Sequence, residues 1–339
     1  MRFGTFHLIG SPDMAPAQQR FDQTLRQIEL ADALGLDTAW VAEHHFSNYG
    51  YSANPLLLIA RACASAPRIR FGQAVVVTPF WHPLRLAEDI AITDLLTGGR
   101  LEVGLGRGYQ PLEFHGFDVP QASSRAIFEE QVALVRLAWT TDDFTFTGQH
   151  YRIAEPVTVL PRPLQQPHPP LWLAVQSETS LDWAAANGCD VLLTGGGTDW
   201  DQLGAWCARF KERRAAGRIG MLRHVLVTET EAEAREAGWQ SRWQRAVADR
   251  LRKGEQRIQA GRNSLAGYVP DVSDEVWWDR IVYGTPERCI RQLRRQAELG
   301  VTDCLAWFDI GGLEHSAVER SMRLFASEVM PALVPTAAS

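Results

Sequence analysis

The chain has 339 residues, 45% hydrophobic and 22% charged, the composition of a globular protein with a large core. A net charge of −6 and a pI near 5.9 argue against a nucleic-acid partner, which requires a basic face. No apolar run reaches the length of a signal-peptide core or a membrane span, so the sequence reads as cytoplasmic with no membrane partner.

Short β-branched runs alternate with longer amphipathic ones. Residues 2–8 read as a strand and 18–34 as a helix, with Leu25, Ile28, Leu30 and Leu34 broadly on one side and Gly35 as its stop. Residues 38–42 form the next strand, and 55–66 a helix with Pro55 at its first position. Strand 70–77, helix 83–96 (which His82-Pro83 begins), strand 101–105 and helix 124–138 follow. Residues 141–163 break the rhythm: 144–153 predict a surface hairpin turning at Gly148, then a proline-rich return.

The alternation resumes with strand 171–175, helix 179–186, strand 190–193, helix 199–216, strand 222–227 and helix 231–251. A polar, glycine-bearing stretch over 252–274 reads as a mobile loop after the seventh strand. Helix 286–299, strand 303–308 and helix 313–330 complete the chain. Eight strands alternating with helices give the count of an α/β (β/α)8 TIM barrel, one domain over residues 1–335. The alternative is a doubly wound sheet with an appended domain. Cys63, Cys189, Cys207, Cys289 and Cys304 are odd in number and scattered, with no C-x-x-C pair, which predicts reduced thiols and no zinc ribbon.

The second strand ends directly in Glu43-His44-His45-Phe46. Ligands of parallel α/β proteins bind at the carboxyl ends of strands, and His is the side chain suited to proton transfer near neutral pH. A capping or packing pair is the plain alternative. A metal is disfavoured, because neighbours on an extended segment point to opposite faces. The same alternation turns His45 away from the side that His44 faces.

Gly104-Leu105-Gly106-Arg107-Gly108-Tyr109 ends the fourth strand and misses the G-x-G-x-x-G spacing of a dinucleotide fold. Arg107 among glycines, and Arg125 at a helix start beside Ser123 and Ser124, form a candidate anion site, with surface ion pairing as the alternative. Gln176-Ser177-Glu178-Thr179-Ser180 begins another helix after a strand, where Ser177 serves either a phosphate or the helix cap. Glu113, past the fourth strand, is a candidate acid or base. Phe80, Trp81, Trp172, Trp307 and Phe308 lie near strand ends and suggest an apolar or aromatic pocket.

One ordered set of motifs then stands out: Glu43-His44-His45-Phe46, Asn54-Pro55, Pro79-x-x-His82-Pro83-x-Arg85-x-x-Glu88-Asp89, Asp94-x-x-x-x-Gly99-Arg100, Gly104-x-x-Arg107-Gly108 and Ser124-Arg125. Gly284-Thr285-Pro286-Glu287-x-Cys289-Ile290 and Ser321-Met322-x-Leu324-Phe325-x-x-x-Val329-Met330-Pro331 continue it. The whole chain resembles the bacterial luciferase-like, flavin-dependent monooxygenases, and most of all the luciferase catalytic subunit.

The resemblance implies a barrel that binds reduced FMN, supplied by a separate flavin reductase, and uses O2 to oxygenate a small, apolar organic substrate, in a homodimer. It implies that Arg107, Arg125, Ser177 and Ser180 hold the FMN phosphate with the Gln176 backbone. Gly108 and Tyr109 would contribute backbone near the ring, and Ala74-Val75 a non-proline cis peptide against it. His44 would be the catalytic histidine and Glu113 the acidic residue beside the flavin, with residues 252–274 as a lid. Gly106 stands where luciferase has a reactive cysteine, which predicts extra space beside the flavin. Glu113 replaces Asp and Gln176 replaces Glu, so neither light emission nor a long-chain aldehyde substrate follows. Two further readings are a deazaflavin-dependent hydride-transfer oxidoreductase and a non-catalytic flavin-binding subunit.

Overall fold

The computed structural model describes residues 1–194, 199–240 and 242–333. Eight strands form its centre: β1 (Arg2–His7), β2 (Thr38–Val41), β3 (Arg70–Gln73), β4 (Leu101–Gly106), β5 (Leu171–Ala174), β6 (Asp190–Thr194), β7 (Ile219–Val227) and β8 (Asp303–Trp307). Each pairs in parallel with the next, and β8 returns to β1 with Asp303 opposite Arg2 and Ala306 opposite Thr5. The closed circuit leaves no sheet edge, so the fold is the (β/α)8 TIM barrel and the doubly wound sheet is excluded. Its strands are apolar almost throughout because helices cover them outside and side chains fill them inside.

Several elements differ from their sequence reading. β7 begins three residues before the expected 222, because Gly220 interrupts the apolar pattern; a Cβ there would lie 2.8 Å from the Leu192 side chain. The expected helix 231–251 is Glu231–Gln240 and Arg242–Lys253, with Ser241 outside the described residues, as are residues 334 and 335 of the expected domain. The hairpin is present, Phe144–Thr147 pairing antiparallel with Arg152–Val157. A short helix Pro111–Gly116, a helix Asp274–Arg280 and a strand Val282–Gly284 beside the end of β7 were not legible as elements.

The stretch 252–274 is built rather than unstructured. Ile258–Gln259 pairs with Arg262–Asn263, and Arg250 donates to the carbonyls of Ser264 and Ala266. The hairpin docks on the loop after β2: Asn48 N–H donates to Gly261 O (2.7 Å), and Asn48 Oδ1 accepts from Asn263 N (2.9 Å) and Nδ2 (3.0 Å).

The amino-terminal end of the barrel is closed by Trp40 and Trp172, edge to face at 5.3 Å, and by a charged network. Glu102 accepts from Arg218 (2.6 Å), Trp172 Nε1 (2.7 Å) and Arg70 (2.8 Å), and Arg218 also binds Asp190 (2.6 Å). Burial alone would raise the Glu102 carboxyl; Arg218, Trp172 and Arg70 outweigh it and hold it below its ordinary value of 4.5. A lowered folded-state pKa means that this stabilisation is complete above pH 4.5 and is lost as pH falls through the folded value. Glu102→Gln is expected to cost about 3 kcal/mol at neutral pH and to flatten the acid limb of stability. Melting curves from about pH 7 to about pH 3 test this; parallel profiles for variant and wild type would refute it.

Candidate active site

A cavity of about 720 Å³ occupies the carboxyl ends of the strands. Every residue assigned to the site from sequence lines it: His44, Ala74, Val75, Arg107, Gly108, Tyr109, Glu113, Arg125, Gln176, Ser177 and Ser180. They come from the loops after β2, β3, β4 and β5 and from the helices that follow β4 and β5, so only barrel closure brings them together.

On one side stands His44. Its Nδ1 lies 3.0 Å from Glu113 Oε1 and 2.7 Å from the Gln110 amide, and its ring packs edge-on against Tyr49 at 4.8 Å. Glu113 is not the solvated residue its type suggests: it is 1% exposed, and the same Oε1 accepts the His45 N–H at 2.9 Å. A carboxylate at Nδ1 fixes the proton there and leaves Nε2 as the base, the arrangement that activates an imidazole. With that proton in place the Gln110 amide presents its oxygen, not its nitrogen, to Nδ1. His45 faces elsewhere, as alternation predicts: its Nε2 lies 3.0 Å from Glu43, which also accepts from Val77 N (3.0 Å) and Trp81 Nε1 (3.1 Å). Burial, reinforced by the Glu113 carboxylate and eased by a Tyr109 hydrogen bond, pushes the Tyr49 hydroxyl up to about 12; Tyr109 is also raised by burial. Both phenols therefore remain protonated donors.

The other side is cationic. Arg107 is exposed and has no hydrogen bond or ion pair among the described residues. Arg125 pairs with Glu129 at 2.8 Å, one helical turn on, in the surface geometry that was the alternative to anion binding. Ser177 caps the helix Glu178–Ala186 through a reciprocal box with Ser180, so the capping reading of Ser177 holds, and both serines line the cavity. Gly108 has φ +79°, and a Cβ there would meet Val77 at 2.8 Å. The Ala74–Val75 peptide between the two sides is cis. Among the described residues, no group of three or more His, Cys, Asp or Glu converges in a metal-holding arrangement.

A family model described as luciferase-like monooxygenase matches residues 1–303. The chain belongs to the luciferase-like monooxygenase family. Among curated relatives it is 29% identical to the oxygenase component of the flavin-dependent trigonelline monooxygenase of Acinetobacter baylyi, covering 98% of this chain and 95% of that one. It is 24% identical to an alkanal monooxygenase alpha chain of Photorhabdus luminescens, over 98% and 97%. The crystal structure of a monooxygenase from Streptomyces bottropensis superposes with a TM-score of 0.86 at 30% identity, over 98% and 99%.

One expectation drawn from the luciferase-like resemblance needs correction. Gly106 does not leave extra space: a Cβ there would lie 2.3 Å from Val75 Cγ2, so Val75 already fills that place. Residues 252–274 contribute none of the lining of the larger cavity. Gly261 instead lines a second cavity of about 420 Å³, which His44 also borders. The wall of the larger cavity is the preceding helix, through Arg245, Ala248 and Asp249.

Of the five aromatics proposed for the pocket, only Trp307 lines it. Trp172 plugs the opposite end of the barrel, Phe308 packs on Phe325, and Phe80 and Trp81 pack around His45 and Glu43. Trp183, Trp206, Trp277 and Tyr49, which also line the cavity, sit on helices and loops, where no strand-end signal marks them. His224 was missed although its signal was present: a polar residue within the apolar run of β7.

Proposed function

We propose that the chain is the oxygenase component of a two-component flavin-dependent monooxygenase that takes reduced FMN from a separate reductase and oxygenates a small, apolar organic substrate with O2. The observation that carries the reading is one cavity holding a carboxylate-fixed histidine on one side and an unpaired arginine with a helix amino terminus on the other. Bound reduced FMN would supply the electrons that activate O2. The residues suit it: Arg107, Arg125, Ser177, Ser180 and the Gln176 backbone would hold its phosphate, and Ala74, Val75, Gly108 and Tyr109 its ring. The phosphate dianion would satisfy the free Arg107 guanidinium and lie at the positive end of the helix Glu178–Ala186. His44 Nε2 would accept or return one proton during turnover, with Glu113 holding the ring in place. Trp206, Trp277 and Trp307 would exclude water around the reacting atoms.

Arg107→Ala is expected to weaken FMN binding roughly ten- to a hundredfold, because a charge-assisted phosphate contact contributes about 1.5–3 kcal/mol. Arg125→Ala is expected to do so by less, since Glu129 already engages that guanidinium. Fluorescence titration with FMN measures both. Unchanged affinity in the two variants would remove the phosphate site from this position.

A further inference from the structure

His224 lies on β7 opposite Trp307 on β8, and its ring meets Trp307 at 5.0 Å and 90° and Trp277 at 5.5 Å and 70°. All three rings line the larger cavity, on elements that carry none of the residues proposed to hold FMN or to move a proton. The imidazole is neutral, pushed down to about 3 by burial and then by the adjacent Arg223. Its Nδ1 is buried and has no partner among the described residues. A proton there would be an orphaned N–H, a rarer defect in folded proteins than an unpaired lone pair. The proton therefore resides on Nε2, which is also without a protein partner among the described residues.

Two buried arginines lie close to this end of the cavity. Arg223 is 1% exposed and makes no ion pair among the described residues; its Nε and Nη2 have no partner. Arg245 is 3% exposed, sits over the Trp277 ring at 4.8 Å, and is only partly offset by Asp274 at 3.3 Å. Asp249, which also lines the cavity and accepts from the Tyr268 hydroxyl at 2.5 Å, sets a carboxylate beside these cations.

We propose that His224 is a substrate-binding residue, donating a hydrogen bond from Nε2 to an oxygen of a planar aromatic substrate held against Trp277 and Trp307. Flat rings pack on aromatic faces and edges, and an N–H donor selects a carbonyl, carboxylate or phenolate oxygen over hydrocarbon. The substrate class is thus an aromatic compound carrying an oxygen acceptor. Calling this ligand the substrate rests on the oxygenase reading; the binding preference does not.

Calorimetric titration of the protein, with and without oxidised FMN, tests the preference. The probes are acetophenone, benzoate and α-methylstyrene, the last matching acetophenone in shape but lacking the acceptor. Wild type is expected to bind acetophenone or benzoate about tenfold more tightly than α-methylstyrene. His224→Phe is expected to abolish that ratio while FMN and α-methylstyrene bind as before. His224→Gln, whose amide N–H replaces the Nε2 donor, is expected to restore much of it. A ratio that survives in His224→Phe, or that is absent in wild type, overturns the assignment. Should His224→Phe not fold, the wild-type ratio and the Gln variant decide. Because the titrations need neither reductase nor turnover, a preserved ratio without oxygenated product would sink the oxygenase reading and leave this one standing.

Discussion

His44→Ala is expected to bind FMN nearly as wild type does and to lose product formation by roughly 10²- to 10⁴-fold, the usual span for a positioned acid or base. The reasoning is local. Truncation removes the whole imidazole with its Nε2, while Glu113 keeps the His45 N–H and the phosphate-side residues on other loops are untouched. Electrons from reduced FMN would then leave as hydrogen peroxide, because O2 is still consumed without a group to manage the substrate's proton. Glu113→Gln is expected to fall between wild type and His44→Ala, because the ring remains but its tautomer is no longer fixed. Oxygen uptake, peroxide release and product yield measured together separate these outcomes. Coupled product formed by His44→Ala at a near wild-type rate would reduce the histidine to a packing residue.

The largest stability effect is expected at Gly104. A Cβ on β4 at that position would stand 1.9 Å from the Gln73 carbonyl oxygen and 3.0 Å from its carbon, and backbone cannot swing aside as a flexible side chain can. Gly104→Ala therefore forces β3 and β4 apart just before Ala74-Val75, at a cost of at least about 3 kcal/mol. Gly35→Ala serves as a control: no heavy atom lies within 4 Å of the Cβ it would add, so its cost is confined to a left-handed backbone at φ +78°. Denaturant titration of both proteins is the measurement. Equal midpoints would mean that the two strands yield more easily than their close approach implies.

What could be read from sequence followed from how local each signal is. Barrel strands announce themselves because burial on both faces demands continuous apolar residues, and Glu43-His44-His45 is conspicuous because it interrupts such a run. Arg107 is legible for the same reason, a cation among glycines. The partner of His44 was another matter: Glu113 is separated from it by 69 residues, and nothing in a polar stretch tells a buried carboxylate from a solvated one. His224, Trp277 and Arg245 meet only because β7, the helix Asp274–Arg280 and the helix Arg242–Lys253 converge on one cavity. Residues 252–274 read as a loop because strands two residues long are too brief for any periodicity, and their folding is dictated by Asn48 from far upstream.

That docking has a mechanical consequence. The helix Arg242–Lys253 forms part of the cavity wall, Arg250 fastens it to the hairpin, and the hairpin is stitched through Gly261 and Asn263 to Asn48, four residues beyond His44. Asn48 is itself tied to Ser11 by two hydrogen bonds, so it acts as a fixed post. Wall and histidine loop are thereby linked like two levers on one pin: displacing the wall far enough to flood the chamber strains the segment that aims the imidazole.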